Sequence, residues 1–188
     1  MQKSAALALA LAAMVLVGAS SASATTLEVG GVTKNEPITI TASLESGTSM
    51  VWEDTASEGN TCTTSHMHGT TSTTTGSAVT GALSTLTFSN CTRLITTHAP
   101  GKLEIRWTSS TKGIVSSEDT EATVRVPLIG YVTCRTDVTT DIGTLTGVSS
   151  GNALLHVNAV MNCGAFYTWA IWEGKYEVTS PSGLGVSS

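Results

Sequence analysis

Apolar and polar residues alternate along this chain in short runs. In Ile38-Thr39-Ile40-Thr41-Ala42-Ser43-Leu44 the apolar side chains fall on every other position, which places them on one face of an extended strand and the hydroxyls on the other. The same alternation recurs in Leu103-Glu104-Ile105-Arg106-Trp107, in Val124-Arg125-Val126-Pro127-Leu128 and in Leu155-His156-Val157-Asn158-Ala159-Val160-Met161. Leu83 to Phe88 and Lys175 to Thr179 are further strand candidates. Turn residues punctuate these runs at Gly30-Gly31, Ser46-Gly47, Glu58-Gly59-Asn60, Pro100-Gly101, Lys112-Gly113 and Ser150-Gly151-Asn152. Short strands at intervals of about 8 to 12 residues, without an amphipathic helix pattern, predict an all-β fold: an antiparallel β-sandwich or a barrel-like domain. Pro127 interrupts a good strand pattern and is expected on an edge or at a strand end, where its missing N–H leaves no ladder bond unmade.

The stretch from Thr61 to Thr80 departs from this pattern. It contains Thr63-Thr64 and Thr70-Thr71-Ser72-Thr73-Thr74-Thr75-Gly76, polar on both faces, so its strand propensity is high while nothing sets its register. It is predicted to be a wide edge strand held at its start by Cys62. Elsewhere the threonines are expected on the outward faces of strands.

The N-terminal segment has a different character. Lys3 precedes an unbroken small and apolar run from Ala5 to Ala19, followed by Ser21-Ala22-Ser23-Ala24, the three parts of a secretory signal peptide with cleavage after Ala24. The expected organisation is therefore a leader, residues 1–24, and a single β-domain, residues 25–188, with two pseudo-repeated halves, about 25–100 and 101–188, as a further option. No later uncharged apolar run approaches the length of a membrane span. The product is expected to be secreted, extracellular or at the cell surface, with the periplasm as the alternative.

Export gives the four cysteines their meaning, because thiols persist as disulfides outside a reducing cytoplasm. The intervals from Cys62 to Cys91 and from Cys134 to Cys163 are equal in length, and each ends in an Asn-Cys pair. Two bridges, Cys62 with Cys91 and Cys134 with Cys163, are the expected pairing among the three that four cysteines allow.

Composition narrows the function classes. Only 12% of residues are charged and the formal net charge is −5, which leaves no basic surface for a nucleic acid and too few charges for long solvated helices. Threonine makes up roughly a fifth of the chain after the leader and favours strands. Ser65-His66-Met67-His68 is the sharpest local motif, since His66 and His68 would project from one face of a strand and could share a Zn²⁺ or Cu²⁺. His98 and His156 are the only other histidines, and the plainer reading is a pair of exposed polar residues on a Thr-rich strand. There is no Gly-x-Ser-x-Gly elbow, and disulfide pairing uses every thiol. The carboxylates at Glu53-Asp54, Glu118-Asp119-Thr120-Glu121, Asp137 and Asp141 spell neither a glycosidase pair nor a calcium cage. No enzymatic activity and no cofactor are expected. Aromatic residues gather after Cys163 at Phe166, Tyr167, Trp169 and Trp172; a strand through the last two sends one indole inward and the other outward, as a core plug or as an apolar binding surface.

Two segments carry a resemblance. Leu86-Thr87-Phe88-Ser89-Asn90-Cys91 and the ending Trp172-Glu173-Gly174-Lys175-Tyr176-Glu177-Val178-Thr179-Ser180-Pro181 are similar to motifs of a broad group of small secreted bacterial β-proteins, some labelled activator of alkane oxidation. The resemblance spans roughly Thr61 to Val186, departs from the group's pattern around His66 to His68, and brings no functional residue with it. It implies an exported β-domain, with hydrocarbon handling or surface adhesion as its suggestion of function. The expectation is a non-catalytic secreted or cell-surface protein that binds or self-assembles through strand edges, Thr70 to Thr75 or another exposed edge, as surface, matrix or fibre material. Alternatives are an exported protein that binds a hydrocarbon or lipid near Trp169 and Trp172, and a metal-binding protein using His66 and His68.

Overall fold

The computed structural model describes residues 23–54, 59–137, 139–164 and 169–188; the predicted leader, apart from Ser23 and Ala24, lies outside the described residues, as do Phe166 and Tyr167. All regular structure among the described residues is strand. The chain first forms β1 (Thr25–Val29), β2 (Val32–Thr33), β3 (Thr39–Leu44), β4 (Met50–Asp54), β5 (Asn60–Thr71) and β6 (Thr75–Gly76). Then come β7 (Val79–Cys91), β8 (Ile95–Ala99), β9 (Lys102–Ser109), β10 (Lys112–Glu118) and β11 (Glu121–Val126). The last five are β12 (Gly130–Arg135), β13 (Thr140–Thr146), β14 (Leu154–Asn162), β15 (Trp169–Ser180) and β16 (Leu184–Ser187).

An 8-strand antiparallel barrel organises these strands. Its ring runs β3, β5, β7, β9, β10, β13, β14, β15 and closes where β15 pairs back onto β3. The ring draws strands from both sides of Pro100. Alternation explains the closure: in β14 Leu155, Val157, Ala159 and Met161 are buried while the residues between them are exposed, and in β15 Ala170, Trp172, Tyr176 and Val178 face inward. The outer wall carries His66, His68, Thr85, Thr87, His156 and Asn158, all exposed, which is the reverse of a transmembrane barrel's apolar exterior. No described helix is long and apolar enough to cross a membrane.

One end of the ring is capped by a small sheet in which β1 pairs with β16, β2 and β6. Leu27, Leu184 and Val186 of this cap are buried against the barrel core. Away from the cap, four ring strands bend and continue as separate elements: β3 into β4, β10 into β11, and β9 and β13 back into β8 and β12. Three of the bends lock together. Gly101 has φ +88°, and a Cβ there would meet the Thr120 hydroxyl and the Glu118 carbonyl, so only glycine fits. Thr120 donates to the Pro100 carbonyl at 2.7 Å, its backbone N–H donates to Thr136 Oγ1 at 3.0 Å, and its hydroxyl lies 2.6 Å from that of Ser117. Thr120 and Thr136 are buried, so these threonines, expected on outward faces, instead satisfy the backbone groups that the bends release.

Both disulfides pair as expected. Cys62 and Cys91 face one another across β5 and β7, and Cys134 of β12 is joined to Cys163 just beyond β14, each over a sequence separation of 29. Pro127 stands just past the end of β11. The expected edge strand is overturned: β5 is hydrogen-bonded to β3 and β4 on one side and to β7 on the other, so Thr61 to Thr71 is an interior strand. Register is set there by Cys62, Met67 and Gly69 on the inner face, which the threonine count obscures. Thr75 is paired as well, with Thr26 of β1.

Candidate functional site

Packing inside the ring changes along its axis. Next to the cap, Ile40, Met67, Leu103, Val115, Leu145 and Leu184 help line a cavity of about 60 Å³ with an almost wholly apolar surface. That is well under the roughly 150 Å³ that admits a benzene ring, so the space suits the end of a slender alkyl chain and no larger group. Further along the inner face of β15 the core becomes aromatic. The Trp172 indole N–H donates to Tyr176 Oη at 3.1 Å, Tyr176 donates to Ser65 Oγ at 3.0 Å, and Ser65 donates to the Thr87 carbonyl at 2.8 Å. Phe88 meets Trp172 edge-on at 5.8 Å. Burial pushes the Tyr176 hydroxyl up to about 12, against the smaller opposing effects of its Ser65 and Trp172 hydrogen bonds. The Trp172 N–H and the Tyr176 and Ser65 hydroxyls each have a partner, and the arrangement is a satisfied core network.

The two indoles that were candidates for ligand binding separate as the period-two pattern requires. Trp172 is 1% exposed and belongs to the core layer, whereas Trp169 is 38% exposed on the outer wall opposite Asn162. His66 and His68 share an outer face: His66 Nδ1 lies 2.9 Å from Ser43 Oγ and His68 Nδ1 lies 3.0 Å from Thr41 Oγ1. His98 Nε2 is 2.7 Å from Thr123 Oγ1 on a different part of the wall, and His156 stands between Thr144 and Lys175. Among the described residues no three His, Cys, Asp or Glu side chains come together as a metal site. Asp141 is held by Arg106 at 2.8 Å and accepts from Ser116 at 2.6 Å, a clamp across the register shift between Val115 and Ser116. It contains no imidazole to take a proton from Ser116.

Two features escaped the sequence reading. The first is an open seam between β7 and β8. Beyond Ala82, where its pairing with β9 ends, β7 is laddered on its β5 side alone, and β8 is laddered only to β11. The Leu83 N–H to Gly101 carbonyl bond closes one end of the seam, and the turn after Cys91 closes the other. Both edges are uncharged, Ser84-Thr85-Leu86-Thr87-Phe88-Ser89 facing Ile95-Thr96-Thr97-His98-Ala99, and Thr97 Oγ1 is buried without a hydrogen-bond partner. The second feature is the β11–β12 turn, where Leu128, Ile129 and Tyr131 stand exposed beside Leu94. Its signal was the run Pro127-Leu128-Ile129-Gly130, which resembled a strand end more than a turn. Comparison with protein-family models, curated proteins and solved structures finds no match.

Proposed function

We propose that this protein is exported and acts without catalysis, by pairing an open strand edge with a neighbouring chain, in the first instance another copy of itself. The observation that supports it is the seam between β7 and β8: two strand edges that no ladder joins to one another, high strand propensity and no charged residue on either edge to discourage addition. The edge on which the proposal rests is thus not Thr70 to Thr75, where β3 and β7 flank Thr70 and β1 pairs with Thr75. Two disulfides suit an oxidising compartment. The test is size-exclusion chromatography with light scattering of the oxidised protein. Oligomers that grow with concentration are expected, and Thr87→Lys combined with Thr96→Lys, both on exposed positions, should return the protein to monomer. A wild-type chain that stays monomeric at high concentration ends this proposal.

The apolar cavity favours a second reading, the binding of a small apolar molecule such as one end of a hydrocarbon or lipid chain. Short alkanes and fatty acids should then raise the thermal unfolding midpoint, and Val115→Phe, which fills the cavity, should abolish the rise. A midpoint indifferent to the whole series removes this reading.

A further inference from the structure

The β11–β12 turn is built against local preference. Val126 pairs with Gly130, which leaves Pro127, Leu128 and Ile129 as the loop. Pro127 fixes its own φ near −65°, and Leu128 follows at φ +68°, the pattern of a type II turn whose second central position normally holds Gly or Asn. A branched aliphatic residue in the left-handed region is strained, and Leu128 is fully exposed, so nothing within the fold offsets that strain. Ile129 is 57% exposed and Tyr131 68%. The Arg125 N–H donates to the Leu94 carbonyl at 3.0 Å, which brings Leu94, 59% exposed, against the same turn. Large apolar side chains from two turns therefore project from the end of the barrel away from the cap.

Charge indicates what they meet. Arg125 is exposed, stands directly opposite Tyr131 in the ladder and makes no ion pair with the described residues. In a chain of net charge −5, the turn and its flanks, residues 125–131, carry Arg125 and no carboxylate. Two copies meeting tip to tip would set arginine against arginine. An anionic surface would not.

We propose that this tip docks reversibly on an anionic lipid bilayer, with Leu128 and Ile129 entering the acyl boundary, Tyr131 at the headgroup level and Arg125 on lipid phosphate. The test is flotation of the chain from Thr25 onward, which contains every described strand, with vesicles of phosphatidylcholine and phosphatidylglycerol or of phosphatidylcholine alone. Wild type should bind the anionic vesicles, more weakly as salt rises. Leu128→Gly with Ile129→Ser should lose about tenfold or more of that binding while keeping its fold, since glycine relieves the strained φ. Arg125→Glu should lose the preference for anionic lipid. Absence of wild-type binding, or equal binding by the Leu128→Gly, Ile129→Ser variant, overturns the proposal. So does a wild-type oligomer that the same variant abolishes, because the tip would then serve a second copy.

Discussion

Tyr176 shows how much of this core depends on single polar atoms. Its hydroxyl accepts from Trp172 and donates to Ser65, in a site where an unpaired group would cost about 1 to 3 kcal/mol. The same burial sets a pH dependence. Below pH 10 the tyrosine is neutral in both the folded and the unfolded chain, and its contribution to stability is complete. From its ordinary value of 10.0 up to about 12 the unfolded chain releases the proton and the folded chain retains it, so stability falls across that window, by about 3 kcal/mol in all. Tyr176→Phe should destabilise by about 1 to 3 kcal/mol at neutral pH, and its urea midpoint should converge on that of wild type as pH rises past 10. A constant difference between the two would contradict this assignment. At the same scale, alternation sends Trp169 and Trp172 to opposite faces, while the fold decides that Trp172 is the inner one, and alternation could not single out Thr120 and Thr136 as buried. Their role depends on backbone groups released where separate strands bend, and spacing along one strand carries no record of that.

Among the elements, the bridges join strands whose neighbours differ. Cys62–Cys91 clasps a β5–β7 ladder that is long and regular, whereas Cys134–Cys163 ties β12 to β14, which share a single register pair, Arg135 with Asn162. In the chain-entropy account each bridge contributes about 3 to 4 kcal/mol, a large share of a typical total of about 5 to 15 kcal/mol. Replacing Cys134 and Cys163 by Ala should cost at least that and loosen the β8–β11–β12 extension first, visible as early amide exchange there; replacing Cys62 and Cys91 should leave the extension protected. Equal exchange behaviour in the two variants would show that the bridges act only through the unfolded chain. Strand positions were legible because inward residues recur at period two in β3, β9, β14 and β15. The status of β5 was not, since both faces of its threonine-rich sequence look polar until β3 and β7 are laid beside it.

For the whole molecule, closure of the ring pairs most strand edges and leaves breaks in the ladder at its seams. The ladder of the barrel is broken where β7 and β8 part and again between β12 and β14, which share only Arg135 with Asn162, and its polar wall leaves the exposed apolar groups at the β11–β12 turn all the more distinct. Because the chain is acidic, edge pairing between copies works against net repulsion, so the assembly expected in light scattering should strengthen as salt screens it, opposite to the salt response expected of the lipid-binding tip. By itself the sequence determined the fold class and which face of most strands turns inward, because these follow from period-two alternation, while the equal cysteine intervals only favoured one of three disulfide pairings, which the structure shows. Only the tertiary structure decided that the sheet closes, where its ladder is broken, that His66 and His68 bond to neighbouring hydroxyls, and that Leu128 ends in solvent. Those outcomes depend on which distant strands become neighbours, and residues 111 positions apart, such as Ser65 and Tyr176, meet only once the ring has formed.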